Sequence, residues 1–195
     1  MNINRYLEKF IRLLLIRFYL FISDKGIADL KKLLKTCNFI SPVIFKGAGK
    51  VSIAKNVTFG VANDPKSYTC SYVEARNKDS EIVIGQGSIL NNNLALISEG
   101  PGISIGERNL IGQNCTIMDS NFHNLDIKRR MQPDKKPLRV IIHNDVFIGA
   151  NVTILKGVEI GSGSVIGAGS VLPVRFKAPI NSTVMGNPAK VIKQT

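Results

Sequence analysis

His123 and His143 are the only two imidazoles in this 195-residue sequence. Either could take a proton from an attacking hydroxyl or amine near neutral pH. A three-histidine zinc centre would need more ligands than these two supply. The cysteines Cys37, Cys70 and Cys115 are odd in number and stand at no metal-ligand spacing. Free thiols are therefore expected, with no disulfide framework and no metal. Lys and Arg number 26 against 14 Asp and Glu, a net charge of +12. The charge sits at the ends: +5 on residues 1–36, −1 on 37–127 and +8 on 128–195. No Lys/Arg run interleaves with aromatics and no nucleic-acid motif is present, so no nucleic-acid partner is expected. A basic C-terminal third suits a phosphorylated small molecule equally well.

The elements that must position these groups follow from a period of six. Apolar anchors stand at Ile142, Ile148, Ile154, Ile160, Ile166 and Leu172. Val146, Val152, Val158, Ser164 and Ser170 precede the later anchors by two, and Gly follows at 149, 161 and 167. Ile105, Ile111 and Ile117 repeat the spacing, as do Ile84, Leu90 and Leu96, with a fainter pair at Ile53 and Phe59. A six-residue unit cannot bury its apolar side chain alone. Short strands closing a triangular coil, stacked on further coils, bury the anchors continuously. About five coils are expected, with the glycine that follows many of the anchors supplying the permissive backbone of a corner and His143, Asn91 and Ala54 taking that position in other repeats. Cys115 and His143 then read as structural. Residues 62–81 lack anchors and are expected to leave the coil. Residues 119–139 break the period and resume it in phase. A loop thrown from a solenoid is commonly functional, and this one carries His123.

Ahead of the repeat, Leu7, Phe10, Ile11, Leu14, Leu15, Phe18 and Phe21 form one apolar helical stripe flanked by Arg5, Lys9, Arg12 and Arg17. Arg17 makes the stretch too short to span a bilayer. Such a helix suits an anionic membrane surface, or packing on the protein or a neighbouring subunit. A second short helix is expected over 27–36. The organisation expected is an N-terminal amphipathic helical segment at 1–36 and a β-helix domain at 37–195.

The run KPLRVIIHNDVFIGANVTILKGVEIGSGSVIGAGSVL, the ending MGNPAKVIK and the looped-out IMDSNFH resemble the hexapeptide-repeat acyltransferases. The galactoside, maltose, nodulation-factor and polysaccharide O-acetyltransferases are the most similar members. The resemblance implies a mainly β fold, a left-handed parallel β-helix; the period alone does not give the hand. It further implies a homotrimer, with acetyl-CoA as co-substrate between protomers, no metal, and direct transfer to a saccharide hydroxyl. His123 would be the general base, Asp119 or a backbone carbonyl would fix its tautomer, and the Ala150 N–H would steady the oxyanion. Gly149, Gly167, Ala168 and Gly169 would line the cofactor arm. Lys190 and Lys193, with Arg175 and Lys177 near a missing family lysine, would meet its phosphates. Asn91 or Asn93 would touch the acceptor. A cytoplasmic protein is implied, and the N-terminal helix suits an acceptor such as a lipid-linked oligosaccharide at the inner membrane face. Rival readings on the same coil are acyl transfer to an amino sugar, serine or antibiotic, or a non-catalytic assembly module.

Overall fold

A computed structural model describes residues 3–24, 30–62, 64, 66 and 68–194; the side chains of residues 3–5 and 30–32 lie outside that description. Two helices, α1 (Ile3–Phe21) and α2 (Leu30–Thr36), precede a succession of short strands. The chain visits three sheets in rotation, so neighbours within a sheet are one full coil apart. The second face runs from Val43–Lys46 to Val171–Leu172 and the third from Lys50–Ile53 to Lys177–Ala178, with six strands each. The first face runs from Asn38–Phe39 through Ser182–Gly186, and the antiparallel Ala189–Gln194 closes it. This is the left-handed parallel β-helix that the resemblance implies.

Each expected anchor from Ile84 to Leu172 is buried and points into one continuous core, as are the residues two positions earlier in the C-terminal run. The register carries on past Leu172 to Ala178 and Val184, both buried. Strand pairing gives six complete coils, not five. The additional turn comes from the first strands, where Val43, Phe45 and Val51 fill the core at irregular spacing. The expected departure over 62–81 is also shorter. Ser71–Ala75 is a strand that pairs with Val43–Lys46 and Ala95–Ser98, with Val73 and Ala75 inward.

The corners work differently from the expectation. Left-handed backbone falls three residues past the anchor, at Asn93 (φ 56°), Asn114 (φ 58°), Asp145 (φ 59°), Asn151 (φ 59°) and Gly169 (φ 72°). The glycine directly after the anchor answers a close approach instead. A Cβ on Gly149 would stand 2.6 Å from Ala168 N, and one on Gly112 2.6 Å from Ala150 N. Coils about 4.8 Å apart leave no room there for a side chain. Asparagine and aspartate serve at the turning position because their short polar side chains tolerate it.

At the open start of the stack, α1 seats Ile16 and Leu20 in the core. Ser23 and Asp24 bond the edge of Val43–Lys46 that no strand takes: Phe45 N–H donates to Ser23 Oγ (3.0 Å) and Asp24 N–H to Phe45 O (2.9 Å). Of α2, Leu33 is buried and Leu34 exposed; residues 27–29 lie outside the described residues.

The alternation can be tested inside one coil. Ile154→Ala, at a fully buried anchor, should lower the unfolding free energy by about 2–5 kcal/mol. Phe147→Ala, at the half-exposed position before Ile148, should cost well under half as much in the same urea titration.

Candidate active site

The extruded loop leaves between the second and third faces, after Thr116–Met118, and returns at Val140–Ile142. Its root is a knot around Asp119. That fully buried carboxylate accepts from Ser98 Oγ (2.8 Å) and from the N–H groups of Glu99 (2.8 Å), Gly100 (3.1 Å) and Gly102 (2.8 Å). Its backbone carbonyl accepts from Leu138 N–H at 2.8 Å, which clamps the two ends of the loop together. Asp119 is therefore not the partner of His123. It lies two past the anchor Ile117, so strand alternation turns it inward, where backbone donors occupy it.

His123 is exposed, and its Nδ1 lies 3.0 Å from the carbonyl of Arg130. A carbonyl can only accept, so Nδ1 carries the proton and Nε2 is left as the basic nitrogen. The short helix Ile127–Arg129, capped by Asp126, turns the chain so that Arg130 reaches back. Phe122, directly before the histidine, adopts φ 62°, an unfavourable conformation for a bulky residue. Its N–H donates to Ser120 Oγ (2.9 Å), Ser120 Oγ donates to Glu99 Oε2 (2.6 Å), and its ring lies under the Arg76 guanidinium at 4.8 Å. Arg76 is itself gripped by Glu74 at 3.0 and 2.9 Å. Arg76, Glu99 and Ser120 stand on successive coils of one edge, so the scaffold reaches up the stack to hold the turn that presents His123.

A second lock sits behind the loop. Lys156 Nζ, buried on the next coil, donates to Asp134 Oδ2 and to the Lys136 carbonyl (3.0 Å). Asp134 also accepts from Asn121 N–H (2.9 Å) and Lys136 N–H (3.0 Å). Burial pushes the Asp134 carboxyl up, but the Asn121 N–H, Lys156 and the Lys136 N–H outweigh it and hold the group below its ordinary value.

The cofactor residues expected from the sequence divide between edges. Gly149, Ala150, Gly167, Ala168 and Gly169 line the edge between the first and second faces. Gly149 N–H bonds Ile166 O, Gly167 N–H bonds Val184 O and Gly169 N–H bonds Ala150 O. Among the described residues no acceptor faces the N–H of Ala150 or of Ala168. A Cβ on Gly169 would meet nothing within 4 Å. Two unclaimed donors on stacked coils beside an open glycine make a shelf for a chain of polar groups.

Lys190 and Lys193 lie exposed on Ala189–Gln194, the closing strand of the first face. Asn91 and Asn93 lie on the same edge as Ala150, lower in the stack. Asn91 Oδ1 accepts from Asn92 N–H (2.7 Å), and Asn93 donates to Asn114 in a ladder that continues to Asn151. Arg175 and Lys177 do not join this shelf. Arg175 occupies the second-to-third corner, and Lys177 on the third face pairs with Glu159 at 3.2 Å, which also meets His143. Burial pushes the Cys70 and Cys115 thiols up to about 11, and Cys115 Sγ donates to Gly149 O. No cluster of metal-ligating groups occurs among the described residues.

Residues 139–173 match the bacterial transferase hexapeptide (six repeats) family. The chain is 39% identical over 115 residues to YJL218W of Saccharomyces cerevisiae, which is named an acetyltransferase, covering 59% of this chain and 57% of that one. It is 28% identical over 169 residues to WbbJ of Escherichia coli K12, named for lipopolysaccharide biosynthesis O-acetyl transfer, covering 82% and 80%. Among solved structures it is similar to the hexapeptide-repeat acetyltransferase VCA0836 of Vibrio cholerae O1 biovar eltor in complex with acetyl coenzyme A, at TM-score 0.53 and 33% identity, covering 60% and 61%. The chain thus spans less than two thirds of the length of YJL218W.

Around this hexapeptide coil, reading the sequence missed the supports: Arg76, Glu99, Ser120 and the Lys156–Asp134 pair. Lys156 followed by a glycine reads as an ordinary exposed turn, and its partner lies on the far limb of the loop. The pair yields a prediction. Lys156→Met leaves Asp134 buried and unpaired, and should cost about 3–5 kcal/mol while opening residues 125–133 to protease. Asp134→Asn gives the pH dependence. A carboxyl held below its ordinary 3.8 stabilises the fold above that value and loses the contribution as pH falls through the folded value. The stability gap between wild type and Asp134→Asn should be full at neutral pH and close below about pH 4.

Proposed function

We propose that the chain transfers an acetyl group from acetyl-CoA to a saccharide hydroxyl, at a site shared by neighbouring copies of a trimer. The observation that carries this reading is the division of the chemistry between two edges. His123, with Nε2 free, projects from the second-to-third edge, and the unclaimed N–H groups of Ala150 and Ala168 line the first-to-second edge. One triangular coil cannot bring these edges together. Copies packed around an axis parallel to the stack do, because each contributes a different edge to every boundary.

The heights agree with this packing. The loop leaves the coil that contains Leu110–Ile111, one coil above Asn91 and one below Ala150. A neighbour's His123 therefore enters between an acceptor-side asparagine and an oxyanion-side N–H.

Acetyl-CoA supplies the activated acyl group as a thioester. Ala168 N–H and the open glycine beside it suit the amide-bearing pantetheine arm, and Lys190 and Lys193 act as point charges for the phosphates. His123 Nε2 takes the proton of the acceptor hydroxyl as its oxygen bonds the carbonyl carbon. The Ala150 N–H meets the negative charge gathering on the carbonyl oxygen. The carbon–sulfur bond then breaks, and the imidazolium returns its proton to the leaving thiolate. The O-acetyl transfer in WbbJ's name supports a hydroxyl acceptor, and its lipopolysaccharide context supports a saccharide in surface-polymer synthesis.

His123→Ala should lower kcat by roughly two to four orders of magnitude, the usual worth of a general base. The oligomeric state and CoA binding by calorimetry should be unchanged. A panel of saccharide acceptors with release of free CoA thiol reads the rate; near-wild-type turnover by the variant would end the assignment.

A further inference from the structure

Helix α1 is oriented the opposite way to an ordinary amphipathic helix. Ile16 and Leu20 face the core. At 100° per residue, Leu7, Phe10, Ile11, Leu14, Phe18 and Phe21 fall on the far side, and all are exposed, Phe18 at 55% and Phe21 at 86%. The apolar stripe evident in the sequence is thus turned away from the chain that carries it. No charged side chain falls on this outward arc. Arg17 borders it on one side, and Glu8 followed by Arg12 borders it on the other. Lys9 lies beneath, toward the coil.

We infer that the outward face of α1 is a docking surface for a bilayer containing anionic lipid. An apolar arc this wide exceeds what a soluble surface leaves uncovered. Cations at its margins, with a single carboxylate among them, sit where phosphate headgroups lie when such a helix rests at acyl-chain level. No helix among the described residues is long and apolar enough to cross a membrane, so the helix lies in the plane. A second copy fits less well, because pressing two such faces together sets Arg12 and Arg17 of both copies side by side with only Glu8 to answer them. The position in the fold agrees. Since α1 covers the open start of the stack, its outer face looks away from the coils and from both edges of the proposed site, so docking blocks neither.

The test is co-sedimentation of the full chain with vesicles of phosphatidylcholine alone and with one quarter phosphatidylglycerol. Wild type should bind the anionic vesicles and not the neutral ones, and added salt should weaken but not abolish binding. The double variant Phe10→Ser/Phe18→Ser should bind roughly tenfold more weakly or worse, with its melting temperature and oligomeric state retained. Arg12→Gln/Arg17→Gln should lose the preference for anionic lipid. Failure of wild type to bind anionic vesicles overturns the inference. So does a Phe10→Ser/Phe18→Ser protein that binds vesicles normally but dissociates in light scattering, which would make the face a subunit contact.

Discussion

A two-residue strand can bury only one large side chain, and in this chain that limit organises everything else. Ile148, Ile154 and Ile160 are each too little to hold a strand in place alone. Stacked at a constant step, they become columns in one dry core. The step must be kept within a fraction of an ångström, because Gly112, Gly149 and Gly161 lie against the backbone of the next coil with no room for a Cβ. Repetition at this tolerance leaves the coil no deep cleft of its own. What it offers is edges, where backbone N–H groups recur at a fixed spacing, and corners, from which a loop can leave without disturbing the register.

The site described above uses both. In the proposed site Ala150 and Ala168 would contribute main-chain donors that cannot move unless the coils move, so no reorganisation would be needed as charge develops before them. The proposed base is not the coil's own histidine, His143, which meets Glu159 away from both edges. It rides on the extruded loop, and the loop is restrained as strictly as the coil. Asp119 knots its root, Lys156 and Asp134 pin its return limb, and Arg76 and Ser120 hold the strained turn at Phe122. Unfavourable backbone next to the proposed base, held by contacts from several coils, is the form that pre-organisation would take.

The sequence displayed the coil plainly, because Ile, Leu and Val anchors repeat at six. It hid the small ones: Ala178 and Val184 complete the columns, yet an alanine in a polar stretch carries little signal. Ser71–Ala75 stayed hidden because its Val73 and Ala75 alternate by two inside a segment rich in polar residues. Between Asp119 and a backbone carbonyl as the partner of His123 the local sequence does not decide; the place of Asp119 two past Ile117 turns it inward, and the Arg130 carbonyl takes the role. The Lys177–Glu159 pair was legible in principle, since the two residues are in register one coil apart. The buried Lys156–Asp134 pair was not, because nothing local marks a lysine whose partner is supplied by a distant loop. The stripe on α1 was visible in the sequence; its direction required the fold.

The central claim, that each site unites His123 of one copy with Ala150 and Ala168 of another, can be measured by mixing subunits. One variant carries His123→Ala and the other Ala168→Trp, which fills the shelf beside Gly169. Each alone should be inactive, and each should assemble. Heterotrimers formed by refolding the two together should regain a fraction of wild-type turnover, because some boundaries then pair an intact histidine with an intact shelf. Mixed trimers as inactive as either parent would place both halves of the site on one chain and contradict the account.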